Sequence, residues 1–98
     1  MAATSVNEKS ADTVDALVEY WIVRDPYKPG RHNAVIRDSR THVWAIIADL
    51  EGNDWDVAST ARARDFPEEA IRAAIAFHDR YRTLFDADRL LREEEWNS

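Results

Sequence analysis

The sequence predicts a mainly α-helical domain: a tri-helical helix-turn-helix core, preceded by an extended arm or β-hairpin and followed by a C-terminal helix. Three observations carry this reading. Apolar residues recur at helical spacing from Thr41 to Leu91. Asp25-Pro26 and Lys28-Pro29-Gly30 break the stretch before them into a turn. Pro67, followed by Glu68 and Glu69, marks a sharp helix start, because a first-turn proline lacks only an amide that would have no partner.

With 98 residues the chain is sized for one domain, read as residues 12–98 after a small, polar and disordered segment 1–11. Asp12 is a candidate N-cap for a short helix with Val14, Leu17, Val18 and Trp21 on one face. Leu17 to Val23 is also rich in β-branched and aromatic residues, so the helix-to-strand boundary stays open. After the turn, Ala34 to Arg37 returns as a second short strand, closed by Asp38-Ser39.

The helical part begins at Thr41, a candidate cap for a helix with Val43, Ile46, Ile47 and Leu50 as its stripe and Gly52 as its end. Asn53 or Asp54 opens a second helix through Val57, Ala58 and Ala61, and Arg62 to Asp65 reads as a polar turn. The third helix buries Ile71, Ala74, Ile75, His78 and Tyr81. Leu84, Phe85, Leu90 and Leu91 carry the apolar pattern into a last helix, bent or broken near Asp86.

Composition excludes several classes. Without cysteine there is neither a disulfide framework nor a thiolate metal site. No apolar run approaches the length of a membrane span and residues 1–10 lack an apolar signal core, so the expected location is the cytoplasm. The net charge of −6 and pI near 4.9 oppose strong non-specific nucleic-acid binding. The charge is uneven. Arg24, Lys28, Arg31, Arg37 and Arg40 face only Asp25 and Asp38, whereas the C-terminal end gathers Asp86, Asp88 and Glu93 to Glu95 against Arg89 and Arg92. A basic arm and an acidic tail suit two different partners. Ten aromatic residues exceed what one small core holds, which points to a homodimer or a permanent partner. The arm residues Tyr20, Trp21, Ile22, Val35 and Ile36 are the candidate dimer surface.

His32, His42 and His78 show no metal-ligand spacing, and no cofactor is expected. His78 reads as a half-buried residue satisfied by one hydrogen bond. Ser59, His78 and Asp79 assemble as a nucleophile, base and acid only on paper, since Ser59 falls mid-helix with no strained turn to present it. The expected protein is not an enzyme.

Arg24-Asp25-Pro26, Val43-Trp44-Ala45-Ile46, the run Phe66-Pro67-Glu68-Glu69-Ala70-Ile71-Arg72-Ala73-Ala74-Ile75-Ala76-Phe77 and Phe85-Asp86-Ala87 together resemble domain-of-unknown-function family 433. The resemblance spans roughly Tyr20 to Leu91. It departs from the family in the arm, where Asp38-Ser39-Arg40-Thr41 replaces a Gly-Thr-Arg-Ile stretch and Lys28-Pro29-Gly30-Arg31 replaces a Gly-Gly-Lys-Pro turn. The resemblance implies a homeodomain-like fold and the antitoxin half of a toxin–antitoxin pair, binding a PIN-like nuclease toxin and, in a second role, operator DNA. It carries over no catalytic residue.

Two surfaces follow. For DNA, Arg62, Arg64 and Arg72 must offset the carboxylates of Glu68 and Glu69 at the start of the helix that would enter the major groove, which favours a scaffold role over direct readout. For a nuclease, Leu90, Leu91, Glu93, Glu94, Glu95 and Trp96 join apolar anchors to a charge opposite that of an RNA-binding groove. The alternative function is a DNA-binding autoregulator without a toxin.

Overall fold

A computed structural model describes residues 13–97, with side chains described through residue 94. The segment 1–11 and the Asp12 cap lie outside the described residues. The chain is mainly helical, with a small antiparallel hairpin.

Helix α1 covers residues 13–21. It buries Val18, half-buries Leu17 and Trp21, and leaves Val14 exposed. The chain passes at once into β1 (Ile22–Val23), so the ambiguous stretch divides at Trp21 into helix and strand. β2 (Val35–Ile36) pairs with β1 in antiparallel register, Ile22 opposite Ile36 and Val23 opposite Val35. Between them the turn is held from inside: Asp25 Oδ1 accepts the Tyr27 amide at 2.8 Å and Oδ2 meets His42 Nε2 at 3.0 Å. Gly30 has φ 101°, and a Cβ there would fall 2.6 Å from His32 Cε1. A single 3-10 turn, Arg31–Asn33, then leads into β2.

Helix α2 (Val43–Glu51) buries its whole expected stripe, Val43, Ile46, Ile47 and Leu50. Its cap position is His42, not Thr41, and no side chain fills it. The hairpin takes over the capping role. The Val43 amide donates to the Ala34 carbonyl at 2.9 Å, and the Ile36 amide donates to the Thr41 carbonyl, setting His42 opposite Val35 in an antiparallel bridge.

Helix α3 (Val57–Arg64) is capped by Asp56, whose Oδ1 accepts the Ser59 amide at 3.0 Å. The expected starts, Asn53 and Asp54, belong to the turn that closes α2: the Asn53 and Trp55 amides both donate to the Leu50 carbonyl, with Asp54 and Trp55 left-handed. Asp56 is extended, the conformation a capping residue needs. Arg62 and Arg64, expected in a turn, are helical; the turn is Asp65 alone, left-handed at φ 59°. The Phe66 amide reaches back to the Ala61 carbonyl at 2.9 Å, so a Schellman-type end reverses the chain in one residue.

Helix α4 (Glu68–Arg80) starts one residue after Pro67, which occupies the cap. Ile71 and Ala74 are buried as expected, but Ala70, Ala73 and Phe77 join them, while Ile75, His78 and Tyr81 are half-buried. The buried arc is wide because α4 touches α2, α3, β1 and the last helix. α2, α3 and α4 each pack on the other two. The chain breaks at Tyr81 (φ −116°, ψ 33°), and α5 (Arg82–Asn97) then runs on as one helix. No break occurs near Asp86. Phe85 already docks on Phe77 and His78, whereas Asp86 is exposed and pulls the helix nowhere. Fully buried Ile36, Ile46, Leu50 and Ile71 centre the core, each stabilising by roughly 1.5–3 kcal/mol through burial.

Candidate functional site

Helix α5 has two unlike faces, and they define the candidate site. The inner face closes a cleft of about 320 Å³ against α2 and α4, lined by Trp44, Ile47, His78, Phe85, Arg89 and Arg92, among others. Arg92 lays its guanidinium over the Trp44 ring, 4.3 Å from the centroid, and pairs one turn back with Asp88 at 2.9 Å. Its Nε is covered and has no hydrogen-bond partner among the described residues. Arg89 grips Glu51 at the end of α2 with both terminal nitrogens, 2.7 and 3.4 Å from the two carboxylate oxygens. That contact, first by hydrogen bonding, holds the Glu51 carboxyl below its ordinary range.

The outer face presents apolar side chains. Leu90 and Leu91 are each 61 % exposed, and Leu84, one heptad before Leu91, is exposed as well. Glu94 is exposed beside them, and Glu93, exposed as well, lies at the rim of the inner cleft near Arg89. The side chains of Glu95 and Trp96 lie outside the described residues. The four described members of the expected partner surface therefore share one end of one helix.

The three arginines expected to meet DNA do not form one free basic face. Arg64 Nε is bound to Asp49 Oδ2 at 2.5 Å, and Arg72 pairs with Glu68 at 3.3 Å along α4. Arg62 is exposed on α3. The carboxylate that engages Arg72 is one of the two it was expected to offset.

The arm is largely absorbed by the chain itself. Val35 and Ile36 are buried, and Trp21 and Ile22 are half-buried against the core, so the apolar surplus that pointed to a second copy shrinks. Tyr20 stays 55 % exposed, edge-on to Trp21 and beneath the Arg37 guanidinium.

The histidines each have a local role. His42 links Asp25 to the sheet and stacks on Trp44, the rings 5.7 Å apart. His32 lies 3.8 Å from Asp88. His78 is half-buried, as expected, but no hydrogen bond to its ring occurs among the described residues; Asp79 is 4.0 Å away and Phe85 contacts the ring. Burial pushes its pKa down, with Asp79 and Asp86 opposing the shift and Arg82 and Arg89 adding to it. Asp25 is held below its ordinary range, first by the Tyr27 amide. Ser59 is not mid-helix: it occupies the first turn of α3, its amide on Asp56. Among the described residues no group of three or more His, Asp or Glu is placed to hold a metal ion, and no helix is long and apolar enough to cross a membrane.

Two relationships escape sequence reading. Asp25 and His42 are joined across seventeen residues, and Arg92 reaches Trp44 from another helix; neither leaves a local spacing signal. The chain matches no protein-family model, no curated protein and no solved structure.

Proposed function

We propose that this chain is a non-enzymatic, antitoxin-like protein that occupies and inhibits a PIN-like nuclease, docking through the outer face of α5. The observation that carries the reading is the adjacent pair Leu90 and Leu91, each 61 % exposed on a helix whose other face is tied to α2. Adjacent exposed leucines on an ordered helix are what a helix-in-groove partner engages. Glu93 and Glu94 flank them with the charge that complements a basic RNA-binding groove. The nuclease class itself comes from the resemblance to domain-of-unknown-function family 433, and with it comes a homeodomain-like arrangement of α2, α3 and α4.

The other reading, a DNA-binding autoregulator acting through Arg62, Arg64 and Arg72, is weaker. Asp49 and Glu68 already engage two of those three side chains.

The test is co-expression with the product of the adjacent gene, which the resemblance implies is a PIN-like nuclease, followed by capture and an RNA-cleavage assay. Wild-type chain should co-purify with the nuclease and silence it. Leu90→Asp with Leu91→Asp should abolish both effects while leaving circular dichroism unchanged, and Trp96→Ala should cost about 2 kcal/mol of binding, as a buried aromatic anchor does. Full inhibition by the double variant would remove α5 from the interface.

A further inference from the structure

The turn between β1 and β2 carries a second surface, independent of the nuclease reading. Segment 24–40 contains five cations and two carboxylates. Two of the cations are engaged by rings: Arg31 lies over Tyr81 at 4.8 Å and Arg37 over Tyr20 at 4.7 Å. The side chains of Arg24, Lys28 and Arg40 are exposed and have no ion pair, hydrogen bond or ring contact among the described residues. Of the two carboxylates, Asp25 is turned inward onto His42 and the Tyr27 amide, its side chain only 12 % exposed. Asp38 alone is open. Locally, three free cations face one free carboxylate.

The geometry gathers these groups. Lys28 lines both of two adjoining clefts, as does Asp25, whose charge is taken up by His42 and the Tyr27 amide; one cleft is shared with Tyr27, Ser39, Arg40 and His42, the other with Arg24 and Gly30. Tyr27 stands at the tip, 85 % exposed, more than any other large apolar or aromatic side chain described. The turn that presents it is fixed by Asp25, His42 and the left-handed Gly30. An exposed ring on an ordered turn offers a stacking face, and the cations around it offer partners for a run of phosphates.

We propose that this turn binds single-stranded nucleic acid, one base stacking on Tyr27 and successive phosphates meeting Arg24, Lys28 and Arg40. A single strand fits better than a duplex because its bases are free to leave their neighbours and stack on protein. The acidic remainder of the chain, with its net charge of −6, keeps this binding modest and confines it to the turn.

Fluorescence anisotropy with labelled oligothymidylate, oligouridylate and a mixed duplex, each about twelve nucleotides long, tests this on the full chain. Three phosphate contacts to a single strand give a log–log salt slope near −2, so affinity should fall roughly twenty-fold between about 50 and 200 mM salt. Lys28→Ala and Arg40→Ala should each flatten that slope by about 0.7. Tyr27→Ala should weaken binding roughly ten-fold, whereas Tyr27→Phe retains it. The tighter of the two single-strand arms identifies DNA or RNA as the natural source. Absence of binding at low salt, an unchanged affinity in Tyr27→Ala, or equal affinity for the duplex would overturn the proposal. All the substituted side chains are exposed, so loss of fold does not confuse the result.

Discussion

Arg92, in the last helix, covers the indole of Trp44, in the first core helix, at 4.3 Å from guanidinium carbon to ring centroid. The pair ties α5 across the cleft to α2, and its energy comes from stacking and from the buried stem of the arginine as much as from charge. A double-mutant cycle of Arg92→Ala with Trp44→Leu should yield a coupling of about 0.5–1 kcal/mol in urea unfolding. Additive effects would show that the two side chains are neighbours without being partners.

Gly30 is the strained point of the hairpin. Its φ of 101° with ψ 148° is a conformation open to little besides glycine, and a Cβ would strike the His32 ring. Gly30→Ala should cost about 2 kcal/mol. The measurement is the urea midpoint, and the hairpin amides from Arg31 to Ile36 should lose hydrogen-exchange protection first. An unchanged midpoint would mean that the turn relaxes without cost.

Asp56 offers a simpler test. Its carboxylate satisfies the Ser59 amide at the start of α3, and Asp56→Ala should destabilise by about 1 kcal/mol. Asp54→Ala, at a position that the sequence itself favours as a cap, should leave the Asp56–Ser59 cap of α3 intact.

That contrast shows what the sequence makes legible. The stripe Val43, Ile46, Ile47 and Leu50 is readable because burial on one side of a helix imposes its period, and all four side chains are buried. The hairpin is readable from its breakers and β-branched residues. Cap positions are not, because several Asp, Asn and Thr residues stand near each helix start and the backbone path selects among them. Asp54 is lost to a left-handed turn, and Thr41 is displaced when the Ala34 carbonyl, just before β2, satisfies the helix amide. The candidate site follows the same division. Exposed Leu90 and Leu91 with Glu93 and Glu94 can be read from pattern and charge, whereas the capture of Arg64 by Asp49, fifteen residues away, needs the packed helices.

His78 gives the chain a pH dependence above the carboxylate range. Burial lowers its pKa from the ordinary value near 6.5, so the folded chain prefers the neutral ring and the unfolded chain binds the proton more readily. The stabilising contribution is complete above about pH 6.5 and is lost as pH falls through the lowered folded value. Glu51 and Asp25, whose folded pKa values are also lowered, act only below the ordinary carboxylate range and leave this window clear. Urea midpoints should drop between about pH 7.5 and 5.5 in the wild type, and His78→Gln should drop less. Equal slopes would remove His78 as the source.

At the end of α5 the Arg92 anchor is followed directly by two exposed carboxylates. Arg92 contacts Trp44 and Asp88, whereas the residues after it include the exposed carboxylates of Glu93 and Glu94. A chain ending at Leu91 should be about 1 kcal/mol less stable in urea than one ending at Arg92, because it loses the contact to Trp44. The chain ending at Arg92 retains Leu90 and Leu91, so it should still capture the proposed nuclease partner, but less tightly at low salt because the acidic complement to a basic groove is gone. Equal capture at every salt concentration would restrict the docking surface to the two leucines. Equal midpoints for the two truncations would leave the Arg92–Trp44 contact without weight in the fold.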